Sequence, residues 1–252
     1  MTVPEVRVIG VTGLPEIHSG DDLPVMLAAA AQTQGTPVQS GDVLVVTQKI
    51  ISKAEGRVVS LAGIDPSPFA EAVALRYDKD PRVVELVLRE SRRIVRMDQG
   101  VIITETLGGF ICANAGIDTS NLDAQEMVAL LPDDSDRSAS EIQARMRELT
   151  GAETAVIVSD TFGRPWREGC TNVAIGVAGM LPLADYRGQA DPNGVLMRAS
   201  VLAVADELAS ATELVMGKLD RVPAAIVRGY RYHEGDGTSG ALVRAPDQDL
   251  FR

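Results

Sequence analysis

Aromatic residues are scarce in this chain, 4% of the total, with four Phe, four Tyr and Trp166 as the single tryptophan. Stacking platforms for single-stranded nucleic acid therefore have few side chains to draw on. Basic residues are also short: 24 Lys and Arg stand against 35 Asp and Glu, a net charge of -11, and the isoelectric point is about 4.7. So acidic a body neither wraps nucleic acid nor settles on an anionic membrane, and partners of both kinds are excluded. Histidine occurs only as His18 and His233, and cysteine only as Cys112 and Cys170, with no CxxC pair. A zinc-type cluster and a disulfide framework are excluded, and a reducing, cytoplasmic setting is expected. The longest apolar stretch, LPVMLAAAA, falls far short of the roughly 20 residues of a membrane helix. No basic region followed by an apolar one opens the sequence, so a secretory leader is not expected. No GxGxxG follows a strand, and Gly217-Lys218 runs into Leu219, with Thr212 where a P-loop needs its first glycine. Neither a Rossmann site nor a P-loop has support.

What is present is a core-forming composition. Hydrophobic residues make up 45% and charged residues 23% of 252 positions, and mean hydropathy is +0.07. Disorder is excluded for most of the chain, and a core of Ala, Val, Leu and Ile is expected. The length suits one domain over 1–252, built as one body or as two lobes. Val3 to Val11 alternates as a strand that ends in the turn GLPEI, and Asp21 and Asp22 cap an Ala-rich helix from Leu23 to Gln34. The run VLVVTQKI reads as a strand buried on both faces, followed by polar SKAEGR. Helices are expected over Pro66–Tyr77 and Pro81–Arg92, then a basic cluster of Arg92, Arg93 and Arg96 beside the strand IVRM. VIITETLGGFICANAG reads as two short strands about a Gly-Gly turn. Pro132 to Ser140 reads as an exposed connection to a helix over Ala139–Leu149. There follow a strand TAVIVS, a loop DTFGRPWREG, a strand NVAIGVAGM, a helix over Val195–Ala209 and a strand PAAIVRGY. The Gly-rich tail, about 234–252, reads as a mobile arm or an extended wrap. Irregular alternation of strands and helices favours an α+β or mixed α/β fold over a regular doubly wound sheet.

Three segments end an apolar run abruptly in charged residues and glycine. In TAVIVSDTFGRPWREG a strand delivers Asp160 and Thr161 side by side to its C-terminal end. A carboxylate beside a hydroxyl suits a hard cation such as Mg2+ or Mn2+. Gly163 and Pro165 are expected to break regular structure, leaving Arg164, Arg167 and Glu168 on a loop dense in charge. Guanidinium groups there hold a carboxylate or a phosphate, unless the loop is only a strand-end turn with solvated ions. In ICANAGIDTSN, the Asp118 to Asn121 spacing suits either a metal-nucleotide complex or an Asx turn. In VLVVTQKIISKAEG, Lys49 and Lys53 are either point charges for phosphate or solvated turn residues.

Taken in order, GLPEI, ISKAEG, CANAGIDTSN, SDTFGRPWREG and the run from Met216-Gly217-Lys218 to PAAIVRG resemble the coenzyme F420-0:gamma-glutamyl ligase family over nearly the whole chain. The resemblance implies a GTP-dependent ligase that joins L-glutamate to coenzyme F420-0 through an amide bond and can extend a gamma-linked tail. It implies a mixed two-lobed fold, an intertwined homodimer, and use of Mg2+ or Mn2+ with a monovalent cation such as K+. It assigns Gly13, Leu14, Pro15, Glu16, Gln48, Lys49, Lys53, Asn121, Met216, Gly217 and Lys218 to GTP, and Asp118, Asp160 and Thr161 to metal. A carboxylate is a poor acyl donor because oxide is a poor leaving group, so an acyl phosphate is the expected intermediate. Asp160, Arg164 and Arg167 are then the candidate catalytic residues, the arginines for the glutamate carboxylates or the phosphodiester of the coenzyme. One departure stands out. The family commonly carries Gln after the late Gly as ligand to a second metal, where this chain has Lys218. A charged ammonium cannot ligate a cation, so Lys218 is expected to replace part of its charge. Two other readings remain: a non-catalytic nucleotide- or deazaflavin-binding protein, and an amide ligase of the same fold acting on another carboxylate.

Overall fold

In the computed structural model, which describes residues 3–119 and 126–249, β1 (Arg7–Gly10) leads through the GLP turn to α1 (Leu23–Thr33). Asp22 caps α1 by accepting from the Val25 amide at 3.3 Å. β2 (Val43–Thr47) passes straight into α2 (Gln48–Ala54). The expected strand VLVVTQKI is thus cut at Thr47, and SKA of the expected polar segment is helical. The switch has a packing cause: Ile50 and Ile51 bury in the core, which leaves Lys49 and Lys53, four residues apart, on another face of α2. β3 (Val58–Ser60), α3 (Pro68–Tyr77) and α4 (Pro81–Arg89) follow, then β4 (Ser91–Asp98), β5 (Val101–Thr106), β6 (Ile111–Ala113) and β7 (Met127–Ala129). The second half holds α5 (Ser135–Thr150), β8 (Ala155–Arg164), β9 (Arg167–Ala178), β10 (Ala184–Asp185), β11 (Val201–Leu202), α6 (Val204–Met216) and β12 (Ala224–Arg228).

Among the described residues the main sheet has the order β1-β12-β2-β8-β9. Only β2 and β8 run parallel, and every other pair in it is antiparallel. Side chains alternate across its faces with the two-residue period of a strand. Leu44, Val46, Val156, Val158 and Ile226 pack on one side with Leu23 and Leu27 of α1, Ile51 of α2 and Ile142 and Met146 of α5. Val43, Val45, Ala155, Ile157 and Val227 pack on the other with Val204, Ala205, Leu208 and Ala209 of α6. A smaller antiparallel sheet, β4-β5-β6, packs Ile102 against Val73, Val84 and Val87 of α3 and α4. β3 pairs with β7, and β10 with β11. Helices with mixed sheets agree with the α+β reading.

Other local expectations fail as well. β8 does not end at Ser159: it continues to Arg164 and returns as β9, so DTFGRPWREG is mostly hairpin. Trp166, at φ 56°, takes the left-handed conformation that closes the turn, and Gly163 stays within the strand. The supposed connection from Pro132 is already helix from Ser135, because Asp134 caps it by accepting from the Arg137 amide at 3.0 Å, and Asp136 favours the first turn. The late helix starts at Val204 and reaches Met216, whereas Val195 and Leu196 are exposed beside the Asp191–Gly194 turn. The first strand is also shorter than Val3–Val11. Beyond β12, Ser239 is buried, and its amide and hydroxyl both donate to Asp136 at 2.9 Å.

The β8–β9 pairing shifts register twice, near the turn between Phe162 and Arg164 and deeper in the sheet between Val158 and Ser159. Val158 opposes Gly176, but Ser159 opposes Ala174, so Ile175 is inserted. Gly176 permits the bulge to lie under α5, since a Cβ there would collide with the Ser135 carbonyl. The insertion reverses the parity of β9, and from that point Thr161 faces Asn172 instead of Val173.

Candidate active site

The parallel pair β2 and β8 directs both C-terminal ends to one edge of the main sheet, the place where such sheets bind ligands. β2 supplies Gln48, Lys49 and Lys53 through α2, and β8 supplies Ser159, Asp160 and Thr161. The turn after β1 adds Leu14, Pro15 and Glu16, the end of α6 adds Glu213, Gly217 and Lys218, and the segment after β6 adds Asp118. All of these line one cleft of about 650 Å³. A second cleft, of about 570 Å³, lies between Cys112, Ile117, Phe162 and Leu219. The two share Leu219 and a polar wall made of Lys49, Asp118, Asp160, Thr161 and Lys218.

Most residues expected from sequence meet here, and a few do not. Gly13, at φ 78°, shapes the GLP turn and lines a neighbouring apolar groove with Pro15 and Met26. Met216 is buried, at 1% exposure, and anchors the end of α6 instead of facing the cleft. Arg164 and Arg167 sit in the hairpin, outside the lining of both clefts, where the Arg164 guanidinium donates to the Glu168 and Gly169 carbonyls at 2.7 and 3.2 Å. Asn121 lies outside the described residues. Asn172 and Glu213, in contrast, were not singled out by sequence yet line the larger cleft.

The shared wall is densely bonded. Lys49 Nζ pairs with Asp118 Oδ2 at 2.7 Å, and Lys53 pairs with Glu16. Gln48 is buried and accepts from Ser52 Oγ at 2.9 Å, which orients its side chain. The Thr161 amide donates to Asp160 Oδ1 at 2.8 Å. Lys218 Nζ donates to Thr161 Oγ1 at 2.6 Å and lies 3.3 Å from Glu213 Oε1. Thr161 Oγ1 donates to Asn172 Oδ1 at 2.7 Å, and Asn172 Nδ2 donates to Glu213 Oε2 at 2.8 Å.

Burial first and the Asp118 carboxylate second push the Asp160 carboxyl up to about 7, against the opposing effect of the Thr161 amide and the ammonium groups of Lys218 and Lys49. A carboxyl so placed favours a cation beside it. Cys112 is likewise pushed up to about 12, by burial first and then by Asp160, so its thiol stays protonated and does not act as a nucleophile. Among the described residues no group of three or more His, Cys, Asp and Glu side chains stands ready for a metal. Asp118, Asp160 and Thr161 line the same cleft as two carboxylates and a hydroxyl, oxygen donors of the kind that suits a hard cation.

The comparisons with known proteins point the same way. The sequence profile of the family described as F420-0:Gamma-glutamyl ligase matches residues 12–229. The Coenzyme F420:L-glutamate ligase of Methanothermobacter thermautotrophicus is 46% identical over 250 residues, covering 98% of this chain and 99% of that protein. Its counterpart of the same name in Methanopyrus kandleri is 46% identical over 255 residues, 99% of each chain. That of Methanocaldococcus jannaschii is 39% identical over 249 residues, 98% of this chain and 97% of the relative. On the profile match and on full-length identity to these three relatives, the chain belongs to the F420-0:gamma-glutamyl ligase family.

Proposed function

We propose that this protein is a coenzyme F420-0:L-glutamate ligase that spends GTP to form an amide bond. The observation that carries the reading is the wall of Lys49, Asp118, Asp160, Thr161 and Lys218 shared by two clefts, since phosphoryl transfer between two substrates needs one charged surface that both can reach. A carboxylate oxygen of the coenzyme attacks the γ-phosphorus of GTP, GDP leaves, and an acyl phosphate forms. The amine of glutamate then attacks the acyl carbon, inorganic phosphate leaves, and the amine loses its proton as the amide forms. Lys49, Lys53 and Lys218 supply positive charge to the phosphates, and the larger cleft is the nucleotide's place. Asp118, Asp160 and Thr161 would hold Mg2+ or Mn2+, which when bound neutralises charge on the transferred phosphoryl group. The protein's work is positioning and electrostatic stabilisation more than covalent chemistry.

The proposal extends to a two-lobed homodimer, to a monovalent cation such as K+ at the phosphates, and to Arg164 and Arg167 as groups that meet substrate anions from the hairpin. The main-sheet body and the smaller β4-β5-β6 body, each with its own apolar cluster, support the two-lobed part. Mass spectrometry of F420-0 incubated with GTP, Mn2+ and L-glutamate tests the activity. A product heavier by one glutamyl residue, formed with GDP and absent for Asp160→Ala, is expected. Unchanged coenzyme with intact GTP, or full activity in Asp160→Ala, overturns the assignment.

A further inference from the structure

Three hydrogen bonds and an ion pair close into a ring around Thr161: Lys218 donates to Thr161, Thr161 to Asn172 and Asn172 to Glu213, whose carboxylate in turn pairs with the Lys218 ammonium. The chemistry of its members fixes every proton. Lys218 has an ammonium and can only donate, while an ionised Glu213 can only accept. The Asn172 amide must therefore turn its NH2 to Glu213 and its carbonyl oxygen to Thr161. A carbonyl cannot donate, so the Thr161 hydroxyl gives its one proton to Asn172 and takes one from Lys218. Its remaining lone pair is the only polar capacity left on that atom, and Thr161 lines both clefts.

We infer that Asn172 and Glu213 are positioning residues that wire Thr161 as a pure electron-pair donor toward the cleft, fit to ligate a cation and unable to donate a hydrogen bond. A free threonine hydroxyl beside phosphate would turn its proton to a phosphate oxygen and so oppose a cation in the same place. The ring removes that choice before any ligand enters. Its register depends on the β-bulge, because without the inserted Ile175 the residue across from Thr161 would be Val173, which cannot accept a proton. The inference rests on the ligase reading only in supposing that the cleft holds a divalent cation with nucleotide.

Mn2+ affinity, read by electron paramagnetic resonance with a non-hydrolysable GTP analogue, tests the ring in Asn172→Ala, in Thr161→Val and in the double variant. Asn172→Ala should weaken Mn2+ binding roughly tenfold, the scale of one hydrogen bond among charged groups. That loss should vanish in the Thr161→Val background, since residues acting through one atom are not additive. A merely structural Asn172 would cost as much in both backgrounds, and that result, or unchanged binding in Asn172→Ala, overturns the inference. Thermal melting reports whether Asn172→Ala folds. If it does not, Glu213→Gln, which no longer forces the amide's orientation, should weaken Mn2+ binding several-fold, and wild-type affinity there also overturns it. Wild-type protein that ligates glutamate while the coupling is missing refutes the ring alone. Coupling without ligation refutes the ligase reading alone, and a wild type that binds no Mn2+ refutes both.

Discussion

Lys218 places an ammonium 2.6 Å from the Thr161 hydroxyl and 3.3 Å from a Glu213 oxygen, between groups that elsewhere would suit a metal ion. Removing that charge should make the site call for a replacement. Lys218→Gln is therefore expected to raise the number of Mn2+ ions bound per chain with GTP analogue, measured by titration calorimetry, and an unchanged stoichiometry and rate would count against it. At this scale the site was largely legible. That Asp118, Asp160, Thr161, Lys49 and Lys53 line one cleft is legible because each ends or closely follows an apolar run, and buried strands deliver their last residues to a sheet edge. The places of Asn172 and Glu213 in that cleft are not legible in the sequence. Asn172 opens the apolar run NVAIGVAGM and looks like a strand start, and Glu213 sits within a helix, so neither carries a spacing that links it to Thr161. Their role comes from cross-strand register and from the end of α6 meeting the hairpin, relations that linear order does not encode. Charge density alone singles out Arg164 and Arg167, yet the Arg164 guanidinium donates to the carbonyls of its own hairpin.

Elements were misread where local signals and packing disagree. Gly163 and Pro165 are breakers by composition, yet β8 and β9 continue through that region because Pro165 falls in the turn and not in the ladder. VLVVTQKI is apolar enough for one strand, but the demand of Ile50 and Ile51 for the core bends it into α2. Only that bend puts Lys49 and Lys53 at the cleft. Gly176 is the element-scale counterpart, a position where the bulge and α5 approach without room for a side chain. Gly176→Ala must displace the start of α5 or the bulge, at a cost of about 1–3 kcal/mol for overpacking. Chemical denaturation should show that loss, together with weakened Mn2+ binding as the register of Asn172 relaxes. Stability and binding equal to wild type would refute this account of the bulge.

At the scale of the molecule, the charge of the cleft departs from the acidity of the whole chain. Asp118 and Asp160 stand in the larger cleft, and Lys49, Lys53 and Lys218 line it with them. The α+β class was legible from irregular alternation, but the layering was not, because the order β1-β12-β2-β8-β9 joins strands far apart in sequence. The positive charge of Lys49, Lys53 and Lys218 is thus local to the cleft, inside a body of net charge -11. The central claim is that both clefts serve one phosphoryl transfer at the wall they share. Its most direct test is ligation with F420-0 whose terminal carboxylate carries heavy oxygen, followed by mass spectrometry of the released inorganic phosphate. One labelled oxygen in the phosphate for each amide formed is the predicted result. Amide formation with no label in the phosphate would contradict it.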